Sequence, residues 1–158
     1  MRKTANPVVS LLIIDDDPGS LDLFSTVLEQ PGLEILTASN PEDGLDLFCS
    51  RRPQIVLTDL VMPRMSGMEV LERIMEVDPA TDVVLMTAHY STESAVEAIK
   101  KGAGDYLNKP VSIAPLRARI GKLVSEAARR QRSRSRHARR PGPGFPGYRS
   151  TREQPEAR

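Results

Sequence analysis

The sequence predicts an α/β fold: a doubly wound, five-stranded parallel sheet with helices on both faces, built from five strand–helix units. Five short aliphatic segments alternate along the chain with five stretches whose apolar residues recur every three or four positions, and this alternation is typical of parallel α/β sheets. Three of the aliphatic segments are apolar almost throughout, as expected for strands that are buried on both faces. They read LLII, QIVL and VVLM.

The predicted strands are short, and each is followed by polar residues that end the apolar run. β-Branched and other aliphatic side chains dominate them, which favours extended backbone. In chain order, the predicted strands cover residues 8–14, 33–38, 54–58, 82–86 and 106–107.

Helical spacing and turn residues define the five intervening helices. The clearest start is that of the second helix, where Asn40 is the predicted N-cap and Pro41 the first helical residue. Proline or glycine follows the first, third and fourth helices and ends them. The predicted apolar stripes are, in order, Leu21/Phe24/Val27/Leu28, Leu45/Leu47/Phe48, Met68/Leu71/Ile74/Met75, Ala95/Val96/Ala98/Ile99 and Ile113/Leu116/Ile120/Leu123.

Composition excludes several classes of protein. Of 158 residues, 39% are hydrophobic and 27% charged, as in ordinary globular proteins. Cys49 is the only cysteine, so neither an internal disulfide nor a multi-cysteine metal site is expected. The apolar run near the N-terminus is too short for a signal peptide or a membrane span. We therefore expect a cytoplasmic protein.

Charge divides the chain into two segments. Residues 1–126 hold 12 Lys+Arg and 19 Asp+Glu, a net charge of −7, whereas residues 127–158 hold 10 Arg and two Glu, a net charge of +8. The second segment has no Val, Ile, Leu or Met. It cannot bury enough apolar surface to offset the entropy of ordering the chain. We therefore predict a domain over residues 8–126 and, after a short helical continuation, a disordered tail over 127–158.

The basic tail has more than one interpretation. Its positive charge favours non-specific contact with nucleic acid. A merely solvated basic tail, or a C-terminus altered by truncation or a change of reading frame, explains the same composition.

Polar side chains follow four of the five predicted strands. The first strand ends in Asp15-Asp16-Asp17, the third is followed by Asp59, the fourth by Thr87-Ala88, and the fifth by Asn108 and Lys109. In doubly wound sheets, ligands bind at the carboxyl ends of the strands. Several carboxylates, a hydroxyl and an ammonium group are therefore expected at one edge of the sheet.

The chemistry of this set favours a divalent cation and a phosphoryl group. Clustered carboxylates repel one another, and a cation relieves the repulsion. Oxygen ligands without Cys or His favour Mg²⁺, or Mn²⁺, over zinc. The lysine and the hydroxyl are suited to hold phosphoryl oxygens, and Asp59, which stands alone at the end of the central strand, is the predicted nucleophile.

Two other interpretations of the acidic triplet fit less well. Asp15-x-Asp17 resembles the start of the haloacid dehalogenase-like phosphatases, but Gly19 stands where that motif has Thr or Val. The same spacing resembles an EF-hand calcium loop, whose twelfth position requires Glu and is Thr26 in this sequence. Glycine-rich nucleotide-binding motifs do not occur in the sequence.

Over residues 8–126, the sequence resembles the receiver domain of two-component response regulators, which implies a flavodoxin-like fold. Residues 87–110 further resemble the receivers of NtrC-type activators of sigma-54 transcription. The resemblance rests on four motifs that occur in this order, each at a strand end: LLIIDDDP, IVLTDLVMPRMSG, VVLMTAH and GAGDYLNKP.

The resemblance implies a phosphoacceptor and a set of metal ligands. Asp59 would accept a phosphoryl group from a histidine kinase. Asp16 would bind Mg²⁺ directly and Asp15 through water, with Asp59 and the main-chain carbonyl of Val61 as further ligands. The chain would then be a signalling switch and not a turnover enzyme. An aspartyl phosphatase, or a degenerate receiver that acts only by binding partners, are the alternatives.

The resemblance also implies how the phosphoryl group is sensed. Thr87, Ala88 and Lys109 would contact the phosphoryl oxygens, and Tyr106 would turn inward when Thr87 moves toward them. A cis peptide bond is expected between Lys109 and Pro110.

Two surfaces are expected to transmit the signal. In the family, the face formed by the fourth helix, fifth strand and fifth helix acts on a partner or forms a homodimer. Alternatively, Leu123 and Ala127 would extend the fifth helix as a dimer seam.

Overall fold

The computed structural model describes residues 8–139, and within them five strands alternate with five helices. This confirms the predicted α/β fold. In chain order, the elements are β1 (Val9–Ile14), α1 (Pro18–Val27), β2 (Leu33–Ala38), α2 (Pro41–Arg51), β3 (Ile55–Asp59), α3 (Gly67–Val77), β4 (Asp82–Thr87), α4 (Thr92–Lys100), β5 (Asp105–Asn108) and α5 (Ile113–Arg139).

The strands form one parallel sheet in the order β2-β1-β3-β4-β5. The order reverses direction beside β1, which places the carboxyl ends of β1 and β3 at the switch point where such sheets bind ligands. Alternate residues of β1 enter different cores, because successive side chains of a strand point to opposite faces. Leu11 and Ile13 pack with α1 and α5, whereas Leu12 and Ile14 pack with α2, α3 and α4.

Four helices begin at a residue whose side chain accepts a hydrogen bond from the first turn. Asn40 accepts from the Asp43 N–H at 2.8 Å, with Pro41 directly after it, as predicted. Asp17, the last member of the acidic triplet, caps α1. Each such cap stabilises its helix by about 1 kcal/mol. Ser66 and Ser91 cap α3 and α4 in the same way.

The predicted apolar stripe of α4 is only partly buried. Ala98 is buried and Ala95 partly buried, whereas Val96 and Ile99 are 48% and 53% exposed. Four apolar residues within five positions span too wide an arc of a helix to face one sheet. The two alanines lie against the sheet, and the two larger residues remain at the surface.

The helix α5 extends thirteen residues beyond the predicted domain boundary at residue 126. Ala127 is 1% exposed and belongs to the core shared with α1. Beyond it, Arg130 forms an ion pair with Asp82 at 3.0 Å, and Gln131 donates a hydrogen bond to the Val8 carbonyl. The folded domain therefore includes at least the next turn of α5.

This packing places one residue of the predicted dimer seam, Ala127, inside the domain. Ala127 is buried in the core of its own chain, and Leu123 packs partly against the same core. The Ala127 side chain is therefore not available to a partner helix, whereas that of Leu123 is only partly covered. The remainder of the predicted disordered tail, residues 140–158, lies outside the described residues. Within the described part of the chain, we find no helix with the length and apolar character of a membrane span.

Candidate functional site

The polar residues predicted to share a site lie at the carboxyl edge of the sheet. Asp59 is the last residue of β3 and Thr87 the last of β4, so both strands extend one residue further than predicted. Asp15 directly follows β1, and Lys109 directly follows β5. The parallel register aligns these ends, with Asp59 beside Met86 and Thr87 beside Asn108.

Three carboxylates form the centre of this edge. Asp15, Asp16 and Asp59 each offer a carboxylate oxygen, and these oxygens lie within 4.8 Å of one another. Their burial differs: Asp15 is 0% and Asp59 9% exposed, whereas Asp16 is exposed to solvent. The cluster is therefore closed toward the protein and open on the Asp16 side.

The Lys109 ammonium bridges two of these carboxylates. Its Nζ lies 3.1 Å from an oxygen of Asp15 and 3.0 Å from an oxygen of Asp59. Burial by itself lowers the pKa of Lys109, but the hydrogen bonds and negative charges of Asp59 and Asp15 outweigh it and raise this pKa above its ordinary value of 10.5. The ammonium group therefore stays protonated at neutral pH.

The donor set of this cluster fits a hard divalent cation. It consists of carboxylate oxygens with no sulfur or imidazole ligand, which suits Mg²⁺ or Mn²⁺. One lysine ammonium balances only part of the charge of three ionised carboxylates. Residual negative charge on the solvent-open side favours binding of a cation beside Asp16.

Val61, predicted to contribute a carbonyl, lies on the loop after β3. Its N–H donates to Oδ1 of Asp59 at 3.4 Å, and its side chain is 57% exposed. The contact brings the Val61 backbone to the Asp59 carboxylate and leaves the Val61 side chain at the rim of the site.

The Thr87 hydroxyl is buried at the same edge of the sheet and has a main-chain partner. The side chain is 0% exposed, and Oγ1 accepts a hydrogen bond from the His89 N–H at 3.0 Å. Between residues 8 and 139, no hydrogen bond joins this hydroxyl to the three aspartates. The Lys109 N–H donates to the Thr87 carbonyl at 2.7 Å, so main-chain contact connects the two residues. Ala88, directly after β4, is exposed.

Tyr106 lies inside the domain, on β5. It is 8% exposed, and its ring centroid lies 5.2 Å from that of Tyr90, which is 51% exposed. The buried Tyr106 hydroxyl has no hydrogen-bond partner among the described residues. A buried hydroxyl without a hydrogen-bond partner costs free energy. The Lys109–Pro110 peptide bond that follows β5 is cis.

Gly67 supports the site, and sequence reasoning did not single it out. A Cβ atom at this position would lie 2.2 Å from the Asp59 carbonyl oxygen, closer than any real contact. The Gly67 N–H donates to the Leu60 carbonyl at 2.8 Å and thereby closes the loop between β3 and α3. In the sequence, the Ser66-Gly67 pair at the start of a helix is typical of an ordinary helix cap. The pair alone does not indicate that Gly67 approaches Asp59.

Residues 11–121 match the response regulator receiver domain family. Among curated proteins, the chain is 35% identical over 118 residues to the transcriptional regulatory protein GlrR of Escherichia coli and 32% identical over 123 residues to the DNA-binding transcriptional regulator NtrC of Escherichia coli. These matches cover 75% and 78% of this chain. They span only 27% and 26% of GlrR and NtrC, about a quarter of the length of each.

Solved structures give the same result over nearly their whole length. A response regulator receiver domain from Clostridium thermocellum superposes with a TM-score of 0.70 at 34% identity and covers 76% of this chain and 97% of its own. A CheY-like receiver domain from Methanospirillum hungatei gives a TM-score of 0.72 at 29% identity, with 78% and 98% covered. With the family match over most of its length and an acidic, lysine-bridged cluster at the carboxyl ends of β1, β3 and β5, the chain belongs to the response regulator receiver domain family.

Proposed function

We propose that this chain is a phosphorylation-dependent switch of a two-component system in which Asp59 accepts a phosphoryl group from a histidine kinase. Receiver domains are phosphoacceptor signalling domains that interact with histidine kinases and bind Mg²⁺ at an acidic pocket. One observation carries the proposal for this chain: a carboxylate oxygen of Asp59 lies within 4.8 Å of carboxylate oxygens of Asp15 and Asp16, and Asp59 also contacts the Lys109 ammonium. Lys109 supplies positive charge of the kind that phosphoryl transfer requires, and the two neighbouring carboxylates are suited to hold a cation that supplies more.

In the proposed transfer, a carboxylate oxygen of Asp59 attacks the phosphorus of a phosphohistidine. The new P–O bond forms as the P–N bond breaks, and the bonding electron pair leaves with the imidazole nitrogen. Positioning and charge neutralisation provide most of the catalysis in such a reaction. Because Asp59 is 9% exposed at the end of a strand that is buried on both faces, its orientation is fixed before the donor arrives.

Asp15, Asp16, Asp59 and the Val61 carbonyl are the proposed ligands of Mg²⁺, with Mn²⁺ as a substitute. The cation, when bound, supplies positive charge that offsets the carboxylates and the incoming phosphoryl oxygens. Lys109 supplies the same kind of charge from the protein side, since its ammonium already contacts Asp59 and Asp15.

Thr87, Ala88 and Lys109 are the proposed contacts of the transferred group. The Thr87 hydroxyl accepts a hydrogen bond from His89 and has its own proton available to donate. Movement of this hydroxyl toward a phosphoryl oxygen would change the space beside Tyr106. The buried Tyr106 hydroxyl without a partner and the adjacent Tyr90 ring support these two tyrosines as the parts that rearrange.

The face formed by α4, β5 and α5 is the proposed output surface. Tyr90, Val96 and Ile99 are each about half exposed and lie on or directly before α4. Through this face, the phosphorylated chain would control a partner or form a homodimer. The similarity to the regulators GlrR and NtrC supports a role in transcriptional regulation. Membership of the receiver domain family supports a cytoplasmic location, which is typical of response regulators.

The phosphoacceptor proposal is tested by intact-mass spectrometry after incubation with acetyl phosphate and Mg²⁺. We expect a single phosphate adduct on the wild-type chain and none on Asp59→Asn. Asp46→Asn, which changes a carboxylate on α2, is the control and should retain the adduct. An adduct that persists in Asp59→Asn would contradict the proposal, and multiple turnovers of a small phosphate ester would favour the aspartyl phosphatase alternative.

Homodimer formation is tested by analytical ultracentrifugation with and without a phosphoryl mimic such as beryllofluoride. We expect the mimic to increase the sedimenting mass and Ile99→Glu, in the exposed part of α4, to prevent the increase. An unchanged monomer mass would contradict dimerisation and leave control of a different partner as the output.

A further inference from the structure

The last turns of α5 form a strongly basic, solvent-exposed helix. Residues 127–139 contain six arginines and no acidic residue. From residue 129 to 137, every side chain is exposed except Gln131, which is half-buried. The receiver domain before it is acidic, with a net charge of −7 over residues 1–126. The positive charge is thus concentrated on one short element.

Three of these arginines occupy one face of the helix. Arg129, Arg132 and Arg136 are spaced i, i+3 and i+7, which places them within a narrow arc and spreads them over about 10 Å along the axis. Among residues 8–139, none of the three has a carboxylate within ion-pair distance, whereas Arg130 on another side of the helix pairs with Asp82. The three arginines are therefore available to an anionic partner.

The surroundings of these arginines select among anionic partners. A helix that binds at a membrane surface needs an apolar face, and a helix that pairs with another helix needs an apolar seam. Residues 129–137 have neither, because the sequence RRQRSRSRH contains no aliphatic side chain. Arginine, serine and glutamine side chains are the usual donors to the phosphates of nucleic acids. We infer that the Arg129/Arg132/Arg136 face of α5 binds the phosphate backbone of double-stranded nucleic acid.

This surface lies at the opposite end of the sheet from the phosphorylation site. Arg130 contacts Asp82, the first residue of β4, and Gln131 contacts the Val8 carbonyl just before β1. Asp59 and Lys109 lie at the carboxyl ends of their strands. The inference therefore goes beyond the proposed function and does not depend on it: failure of duplex binding would leave phosphorylation of Asp59 intact, and the reverse also holds.

The test is fluorescence anisotropy of a labelled short DNA duplex titrated with the full chain over a series of salt concentrations. We expect the triple variant Arg129→Gln, Arg132→Gln, Arg136→Gln to lose about tenfold or more in affinity at low salt, because three phosphate contacts disappear. The slope of log affinity against log salt should fall in magnitude by about 2.7, at about 0.9 for each contact. Replacement of the same three residues by Lys should retain most of the affinity, since backbone contacts depend mainly on charge.

A matched control removes three exposed cations from other parts of the surface. Arg73→Gln, Lys100→Gln, Arg117→Gln makes the same change in net charge, and none of these residues has an ion-pair partner among residues 8–139. We expect it to keep the wild-type salt slope. An equal loss in this control, or an unchanged affinity and slope in the arginine variant, would overturn the inference.

Three further measurements complete the test. Circular dichroism establishes that the triple variant keeps its helix content, and Arg132→Gln alone, a milder change, should lower the salt slope by about 0.9. Anionic phospholipid vesicles and polyglutamate serve as competing polyanions. Arginine-dependent binding to either of these, without binding to the duplex, would overturn the inference in favour of a membrane or an acidic protein.

Discussion

At the scale of single residues, Lys109 largely determines the electrostatics of the site. Its ammonium lies about 3 Å from carboxylates on two different strand ends, and its side chain is 21% exposed. A pair that is partly open to solvent contributes less than a fully buried one, because water screens the charges. Removal of the lysine still leaves the buried Asp15 carboxylate without its cation, which is the costly part of breaking such a pair.

The raised pKa of Lys109 predicts how this contribution depends on pH. A group whose pKa is higher in the folded state stabilises the fold fully below its unfolded value, 10.5, and the contribution is lost as the pH rises through the folded value. Without Mg²⁺, we expect Lys109→Met to lower the free energy of unfolding by about 1–3 kcal/mol. Urea titrations should show the same difference at every pH between about 6 and 9.

The control for this prediction is Lys100→Met, at an exposed position on α4. It should change the free energy of unfolding by less than about 0.5 kcal/mol. A wild-type-to-Lys109→Met difference that titrates near neutral pH would show that a different group is responsible.

The Asp16 carboxylate is predicted to lower the stability of the Mg²⁺-free chain and to serve as a ligand of the cation. It is the exposed member of three clustered carboxylates, so Asp16→Asn removes like-charge repulsion and should raise the Mg²⁺-free stability by up to about 1 kcal/mol. A bound cation stabilises the folded chain by mass action. Added Mg²⁺ should therefore stabilise the wild type and Asp22→Asn, a control on α1, but stabilise Asp16→Asn much less. Equal Mg²⁺ stabilisation of all three proteins, measured by thermal denaturation, would exclude Asp16 as a ligand.

At the scale of elements, the turn between β3 and α3 shows how closely the scaffold is built around Asp59. Gly67→Ala would place a methyl group 2.2 Å from the Asp59 carbonyl oxygen, which is backbone and cannot rotate away. We expect this change to cost about 1–3 kcal/mol of stability, the usual result of overpacking. It should also slow phosphorylation, because the shift falls on the acceptor residue itself.

Gly104→Ala is the matched control for this position. Its Cβ would lie 3.6 Å from the nearest atom, an ordinary contact, and Gly104 does not require a left-handed backbone. Urea titration and the acetyl phosphate rate should both be close to wild type. Equal effects of the two alanines would mean that the loss of backbone freedom matters more than contact with Asp59.

Some features of the helices and strands are predictable from local sequence patterns, and others are not. The alternation of strands and helices, the Asn40 cap and the bounds of β2 follow from local spacing and chemistry, and they were predictable. The burial of individual residues in the apolar stripe of α4 was not predictable, since the spacing of apolar residues does not show which of Val96 and Ala98 faces the sheet. The Gly67 contact depends on the approach of two segments, which local pattern does not contain.

The candidate site was predictable in outline because parallel strands bring their ends to one edge. The residues that meet there, Asp15, Asp16, Asp59 and Lys109, were all named from the sequence. The bridging position of the lysine was not predicted, because the sequence does not fix the path of a long, flexible side chain. The hydrogen bond from the His89 N–H to the Thr87 hydroxyl depends on the same kind of local geometry.

At the scale of the whole molecule, the end of the folded domain differs from the end suggested by composition. Hydrophobic content falls after residue 126, yet Ala127, the Arg130–Asp82 pair and the Gln131–Val8 hydrogen bond extend the packed part of α5. The buried methyl group of Ala127 and the two polar contacts hardly change the hydrophobic content of this segment, so composition does not reveal them. The contribution of each is modest, but all three fall within five residues.

Two truncations test this revised boundary. A chain that ends after residue 126 loses all three contacts and should be less stable than one that ends after residue 131 by about 1–2 kcal/mol. Urea titrations of both chains measure the difference. Equal free energies of unfolding for the two chains would place the end of the folded domain at residue 126.

Mapping the acyl phosphate shows which aspartate receives the phosphoryl group. Borohydride reduces an aspartyl phosphate to homoserine, so phosphorylated protein is reduced, digested and sequenced by tandem mass spectrometry. We predict homoserine at position 59, dependent on Mg²⁺, and unmodified aspartate at positions 15 and 16. Homoserine at either of those two positions, or at no aspartate of a chain that carries phosphate, would mean that Asp59 is not the phosphoacceptor.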